Sequence, residues 1–178
     1  MPVLVLTYDS SGSNYDSSLA APNRGLWFLH LVTPMFSPSQ DDVRHFFCQV
    51  LQGSRLGEPM DALQTLAAQW VNEHPEFHDI LSDPAWALKQ TYPVEAGHAN
   101  PFLHLSMHLS ISEQCSIDQP QGIQSAVAQL ADRKNSIHDA QHAVMECLGA
   151  MLWESQRSGR PPDGAAYVEA IKRLSSHD

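Results

Sequence analysis

The chain has 178 residues, of which 43% are hydrophobic and only 17% charged, enough apolar material for one ordinary domain with a real core. Its formal net charge is -10 and its ten Lys and Arg residues form no cluster, so it repels phosphate backbones and no nucleic-acid partner is expected. No apolar run reaches the length of a membrane span, so no membrane partner is expected either. The three cysteines, Cys48, Cys115 and Cys147, are widely spaced and make no CxxC motif. They read as reduced core thiols in a cytoplasmic protein. The ten histidines are the unusual feature, and seven of them fall between His74 and His142.

In chain order, Met1 to Pro34 differs from the rest. VLVLTY and GLWFLHLV are short apolar runs around a Ser/Asn/Asp-rich middle, Asp9 to Ser18. There is no basic leading region and no clean cleavage site, so the pattern is not that of a signal peptide. Residues 1–34 are read as an irregular extension, with the natural start expected at Met35 and one all-α domain over residues 35–178. From Ser37 the helical punctuation is regular. Ser37-Pro38-Ser39-Gln40 opens a helix that ends near Gly53. A second starts at Pro59 and runs to about Glu73. PEFHDIL and PAWALK, introduced by Pro75 and Pro84, are short helices. Thr91 to Ala99 is a loop. Asn100-Pro101 opens a helix through about Cys115, and Pro120 opens another through Leu130. The longest runs from about Ser136 to Gln156 and stops at Ser158-Gly159. Pro161-Pro162-Asp163 precedes a last amphipathic helix with Tyr167, Val168, Ile171 and Leu174. Nothing after Met35 alternates like a strand, so the fold class is all-α, a helical bundle of about five to seven helices.

Two of these helices carry the functional argument. In PFLHLSMHLSISEQC, residues 101–115, Glu113 is the one residue that is Asp, Glu, Lys or Arg, and apolar side chains point in every direction. A helix apolar all round is buried, and His104 and His108 lie one turn apart on it. In AQHAVMECLGAMLW, residues 140–153, Val144, Leu148 and Met151 form one face. The opposite face carries His138, His142, Glu146, Gly149 and Trp153.

A buried imidazole without a partner costs roughly 1–3 kcal/mol, and a buried ionised carboxylate more. Four histidines and a glutamate on two buried helices must therefore satisfy each other or hold something. Imidazoles one turn apart, with a carboxylate one turn further on, can chelate a divalent transition metal, and nitrogen and oxygen donors suit iron or zinc. The expected ligands are His104, His108, His138 and His142, with Glu146 as a carboxylate ligand or base. His78, from His74-Pro75-Glu76-Phe77-His78, is a further nitrogen and is preferred to His74, because Pro75 breaks the simple helical stripe. Gln114, Asp139 and Gln141 are placed to orient the ligands. An open coordination position would permit redox chemistry or small-molecule binding. Two alternatives remain. One is a non-catalytic interaction module whose histidines form a structural hydrogen-bond network and whose acidic surface takes a basic partner. The other is a small metal-dependent hydrolase with a pocket lined by Gly97 and His98. Whether the chain is an enzyme, which small molecule or protein partners it, and whether it forms a homodimer stay open. GxSxG, P-loop, GxGxxG and HExxH motifs are missing.

The strings MFSPSQDDVRHFF, GEPMDALQTLAAQWVNEHPEFHDIL, NPFLHLSMHLSISEQCSIDQPQGI, HDAQHAVMECLGAMLWESQRSGRPPDG and AYVEAI resemble a bacterial family known as domain of unknown function 1841, over Met35 to Arg173. The resemblance implies a start at Met35 and implies no activity. The histidine-bearing segments also resemble, more loosely and in arrangement only, hemerythrin-like metal-binding bundles. The chain departs from the di-iron pattern of Glu-x-x-His pairs. It has His-x-x-x-His and few carboxylates, which makes a mostly nitrogen-ligated site the easier one to build.

Overall fold

The structure is a computed structural model that describes residues 38–92 and 100–176. The extension read over Met1 to Pro34 and most of the Thr91 to Ala99 loop, with Gly97 and His98, lie outside the described residues. Within them the chain is all-α: α1 (Gln40–Leu56), α2 (Ala62–Glu73), a single 3-10 turn (Pro75–Phe77), α3 (His78–Leu81), α4 (Pro84–Lys89), α5 (Pro101–Ile117), α6 (Ile123–Lys134), α7 (Ile137–Ser158) and α8 (Gly164–Ser176). Six of the eight are long, and α3 and α4 are fragments of one or two turns.

The helices start where short polar side chains can satisfy free amides. Ser39 caps α1: its hydroxyl accepts from the Asp42 amide, and the Asp42 carboxylate accepts from the Ser39 amide. The box lies two residues beyond the expected Ser37, because Asp42 offers a carboxylate at the third helical position where Gln40 would have to serve. Asp61 and Gln64 repeat the arrangement on α2, so that helix opens after Pro59 and not at it. Asn100 accepts from the Phe102 and Leu103 amides at the head of α5, with Pro101 in the first turn. Ser136 caps α7 by accepting from Asp139, and Gly159 ends it in the left-handed conformation at φ 66°.

Packing divides into two cores that share one helix. The first gathers Phe47, Val50 and Leu51 of α1, Ala67, Trp70 and Val71 of α2, Leu81 of α3 and Ala87 of α4 around Phe102, Leu105 and Leu109 of α5. The second gathers Ile123, Val127 and Leu130 of α6, Ala140, Val144 and Leu148 of α7, and Tyr167, Val168 and Ile171 of α8 around Ile111 of α5. Helix α5 is therefore buried over most of its circumference, with Leu103 and Ile117 left exposed. One close joint is at the head of α8. A Cβ on Gly164 would stand 2.9 Å from the Pro120 Cβ, so only glycine lets the two backbones approach this closely. All three cysteines are free thiols, and Cys48 is buried in the first core.

Candidate metal centre

Where α5 passes from one core to the other, three segments deliver five imidazoles to one point. His104 and His108 come from α5, and His138 and His142 from the first turns of α7. The fifth is His74, which closes α2. Its backbone leaves the helical region, at φ -122° and ψ 63°, because Pro75 follows and disfavours a helical predecessor. That turn carries the ring across to α5. The His74 Nε2 lies 2.8 Å from the His108 Nε2 and 3.3 Å from the Nε2 atoms of His104 and His138. The His142 Nε2 lies 3.2 Å from the His104 Nε2. One ring nitrogen from each of His74, His104, His108 and His142 can be chosen so that all lie within 4.8 Å of one another.

The inner rings are held hard. His74 and His108 are 2% and 0% exposed. The Trp70 indole stacks on His108 with centroids 4.1 Å apart and planes inclined by 10°. His104, His138 and His142 are only partly buried and form the outer side.

A chain of hydrogen bonds sets which nitrogen of His108 carries its proton. The Ser112 hydroxyl donates to the His108 carbonyl at 2.9 Å, so its oxygen is left to accept. It accepts from Trp70 Nε1 at 2.8 Å and from the Gln141 amide nitrogen at 3.0 Å. The Gln141 amide is thereby turned with its oxygen to His108, and His108 Nδ1 donates to that oxygen at 2.8 Å. His74 is fixed by a shorter route, since its Nδ1 donates to the Glu76 carboxylate at 2.8 Å. Both rings have spent their N–H at Nδ1. Their Nε2 lone pairs face each other across 2.8 Å.

Neutral imidazoles cannot satisfy that contact, so it needs a proton or a cation between the two nitrogens. A proton resident on His108 is disfavoured near neutral pH. Burial, opposed by the Gln141 bond and reinforced by the neighbouring histidines, pushes His108 down to about 3. Burial and then the charges of His74 and His142 push His104 down to about 4. His142 is lowered too, by burial and then by His138 and His74. Burial raises the Glu76 carboxyl, but the bond from His74 outweighs it with its companions and leaves the group below its usual value, ionised as acceptor. Two nitrogen ligands of a tetrahedral zinc stand about 3.3 Å apart for bonds of about 2.0–2.1 Å. The 3.2 and 3.3 Å separations already match such an edge. The 2.8 Å pair would have to open by about half an ångström around an ion.

The expected ligands divide accordingly. His104, His108, His138 and His142 meet. His78 does not join them, because its Nε2 donates 2.8 Å back to the Val71 carbonyl near the end of α2. Glu146 does not join them either. Each four-residue step along α7 turns its side chains by a further 40° or so and carries them a turn along the axis. Glu146 is exposed and lines a groove between α7 and α8 with Cys147, Met151 and Tyr167. Of the expected orienting residues, Gln141 does hold His108, Gln114 donates to Ser110, and the Asp139 carboxylate stands 3.8 Å from His138 Nδ1. Sequence reasoning ranked His74 below His78, and it missed Glu76 and the Trp70–Ser112 relay. The available signal was the carboxylate two residues after His74 and the tryptophan one turn before it. Burial and then the Glu146 charge push the Cys147 thiol up, as befits a reduced thiol.

The fold and the cluster thus define a small helical bundle with a nitrogen-rich centre where its two cores meet. The chain belongs to the family described as domain of unknown function (DUF1841), whose pattern matches residues 39–173. No curated protein and no solved structure matches the chain.

Proposed function

We propose that this chain binds one divalent transition ion, zinc or iron, through the Nε2 atoms of His74, His104, His108 and His142, with His138 as a fifth nitrogen at the outer edge. The observation that carries the reading is the His74–His108 pair, two Nε2 atoms 2.8 Å apart in a buried place, on rings whose Nδ1 atoms are each bonded to an acceptor. A structural hydrogen-bond network is the rival reading, in which a proton takes the place of the ion between the two nitrogens. Second-row support is of the kind metal-bound histidines use: a carboxylate on His74 and an amide oxygen on His108, each accepting from Nδ1. Among the described residues, the inner set of His74, His104, His108 and His142 holds no carboxylate, which argues for a nitrogen-ligated mononuclear ion over a carboxylate-bridged pair.

Elemental analysis of protein prepared without a histidine tag tests this, as isolated and after anaerobic reconstitution with iron(II) or zinc(II). The His104→Ala/His142→Ala double variant is measured beside it, with circular dichroism to show that it folds. About one ion per chain, lost in the folded variant, supports the proposal. No ion in the wild-type chain after both reconstitutions overturns it.

A further inference from the structure

His74 and His108, the inner pair, are walled off from solvent. An ion from bulk water therefore arrives from the outer side, where His104, His138 and His142 stand. On that side stands a second ligand group. His138, Asp139 and His142 can each offer one atom such that all three lie within 4.8 Å of one another. The His138 side chain is 29% exposed and that of Asp139 63%. The inner set consists of imidazole nitrogens alone, whereas this outer group adds a carboxylate. It shares His142 with the inner set, and the His138 Nε2 lies 3.3 Å from the inner His74 Nε2.

We propose that His138, Asp139 and His142 form an outer loading site, at which a hydrated divalent ion is captured before it passes to the inner imidazoles. The inference rests on the metal-binding reading above. Capture exchanges some of the ion's waters for the Asp139 carboxylate and the two outer rings. Transfer exchanges Asp139 for His74, His104 and His108 while His142 stays in contact. The ion keeps its charge throughout, and no bond within the protein is made or broken. The carboxylate is needed at the first stage alone, since it draws a dication from solution while the buried nitrogens cannot.

Stopped-flow uptake of zinc(II) into the metal-free full-length chain, followed by competition with a chromophoric chelator, tests the proposal. Asp139→Asn is compared with Asp132→Asn, which removes one exposed charge from α6. The expected result is uptake slowed about tenfold in Asp139→Asn at low ionic strength, release slowed alike, and one zinc still held at equilibrium. Asp132→Asn is expected to match the wild type. Three results overturn the inference while leaving the metal reading intact: unaltered uptake in Asp139→Asn, equal slowing in both variants, or weaker equilibrium binding at an unaltered uptake rate. If Asp139 serves only to balance the N-terminus of α7, its variant loses thermal stability and keeps its uptake rate, which also overturns it. Failure of the wild-type chain to take up any zinc or iron overturns the metal reading, and this inference with it.

Discussion

Replacing Gln141 by leucine isolates the geometry on which the metal reading depends. The side chains are similar in size and the site is buried, so little cavity forms. What goes is the acceptor for His108 Nδ1 and one of the two donors to Ser112. In the metal-free chain this strands a buried N–H, which costs about 1–3 kcal/mol. For a chain of this size that lowers the melting temperature by roughly 2–12 °C. In the loaded chain, His108 is no longer held in the form that offers Nε2. Loss of such a supporting partner weakens metal binding about 10–100-fold, or roughly 1.4–2.8 kcal/mol. Denaturation with and without zinc, together with chelator competition, gives both numbers. If Gln141→Leu binds zinc as tightly as the wild type while His108→Ala binds none, the hydrogen-bond relay does not set the site, and the reasoning from facing lone pairs fails.

The folded values of about 4 for His104 and about 3 for His108 lie below the ordinary histidine value of 6.5, so below pH 6.5 the unfolded chain binds the more protons. Stability of the metal-free chain is therefore full above pH 6.5 and declines as pH falls through 6 and 5 towards 4 and 3; equal denaturation midpoints at pH 7.5 and 5 would count against this. His74→Ala should reduce zinc binding by at least tenfold, as loss of a direct ligand exceeds loss of a supporting partner, whereas His78→Ala should leave one zinc per chain. Equal losses in the two would place the ion elsewhere. Gly164→Ala forces a Cβ to 2.9 Å from Pro120 and should cost about 1–3 kcal/mol by denaturation, with zinc affinity unaltered because the joint is remote from the histidines in the fold.

Much of the architecture is legible in residue order because each helix start is a local event. Asn100-Pro101 and Asp83-Pro84 open α5 and α4 where the proline and its capping neighbour sit together. Four of the five clustered histidines are legible for the same reason: they lie in pairs one turn apart on helices too apolar to face water. His74 is not, because its position depends on a backbone that stops being helical at Pro75 and on how α2 packs against α5. His78, one turn away in residue count, follows that break and returns its ring to the carbonyl of Val71. Glu146 shows the opposite error. Spacing of four keeps neighbours on one stripe for a single turn, and the drift over two turns suffices to take a carboxylate away from a compact centre.

An ion at this point would act as a three-armed cross-link on the chain. It would tie His104 to His74 across a separation of 30 residues and His142 to His104 across 38. Closing such loops removes freedom chiefly from the unfolded ensemble, as a disulfide does, at about 3–4 kcal/mol for a loop of this length. Unlike a disulfide, this tie needs no oxidant and comes undone when a competitor removes the ion. The two cores then stay joined through α5 and the bonds of Trp70 and Gln141 to it, and amide exchange around those two residues would report the loss before the rest of either core opens.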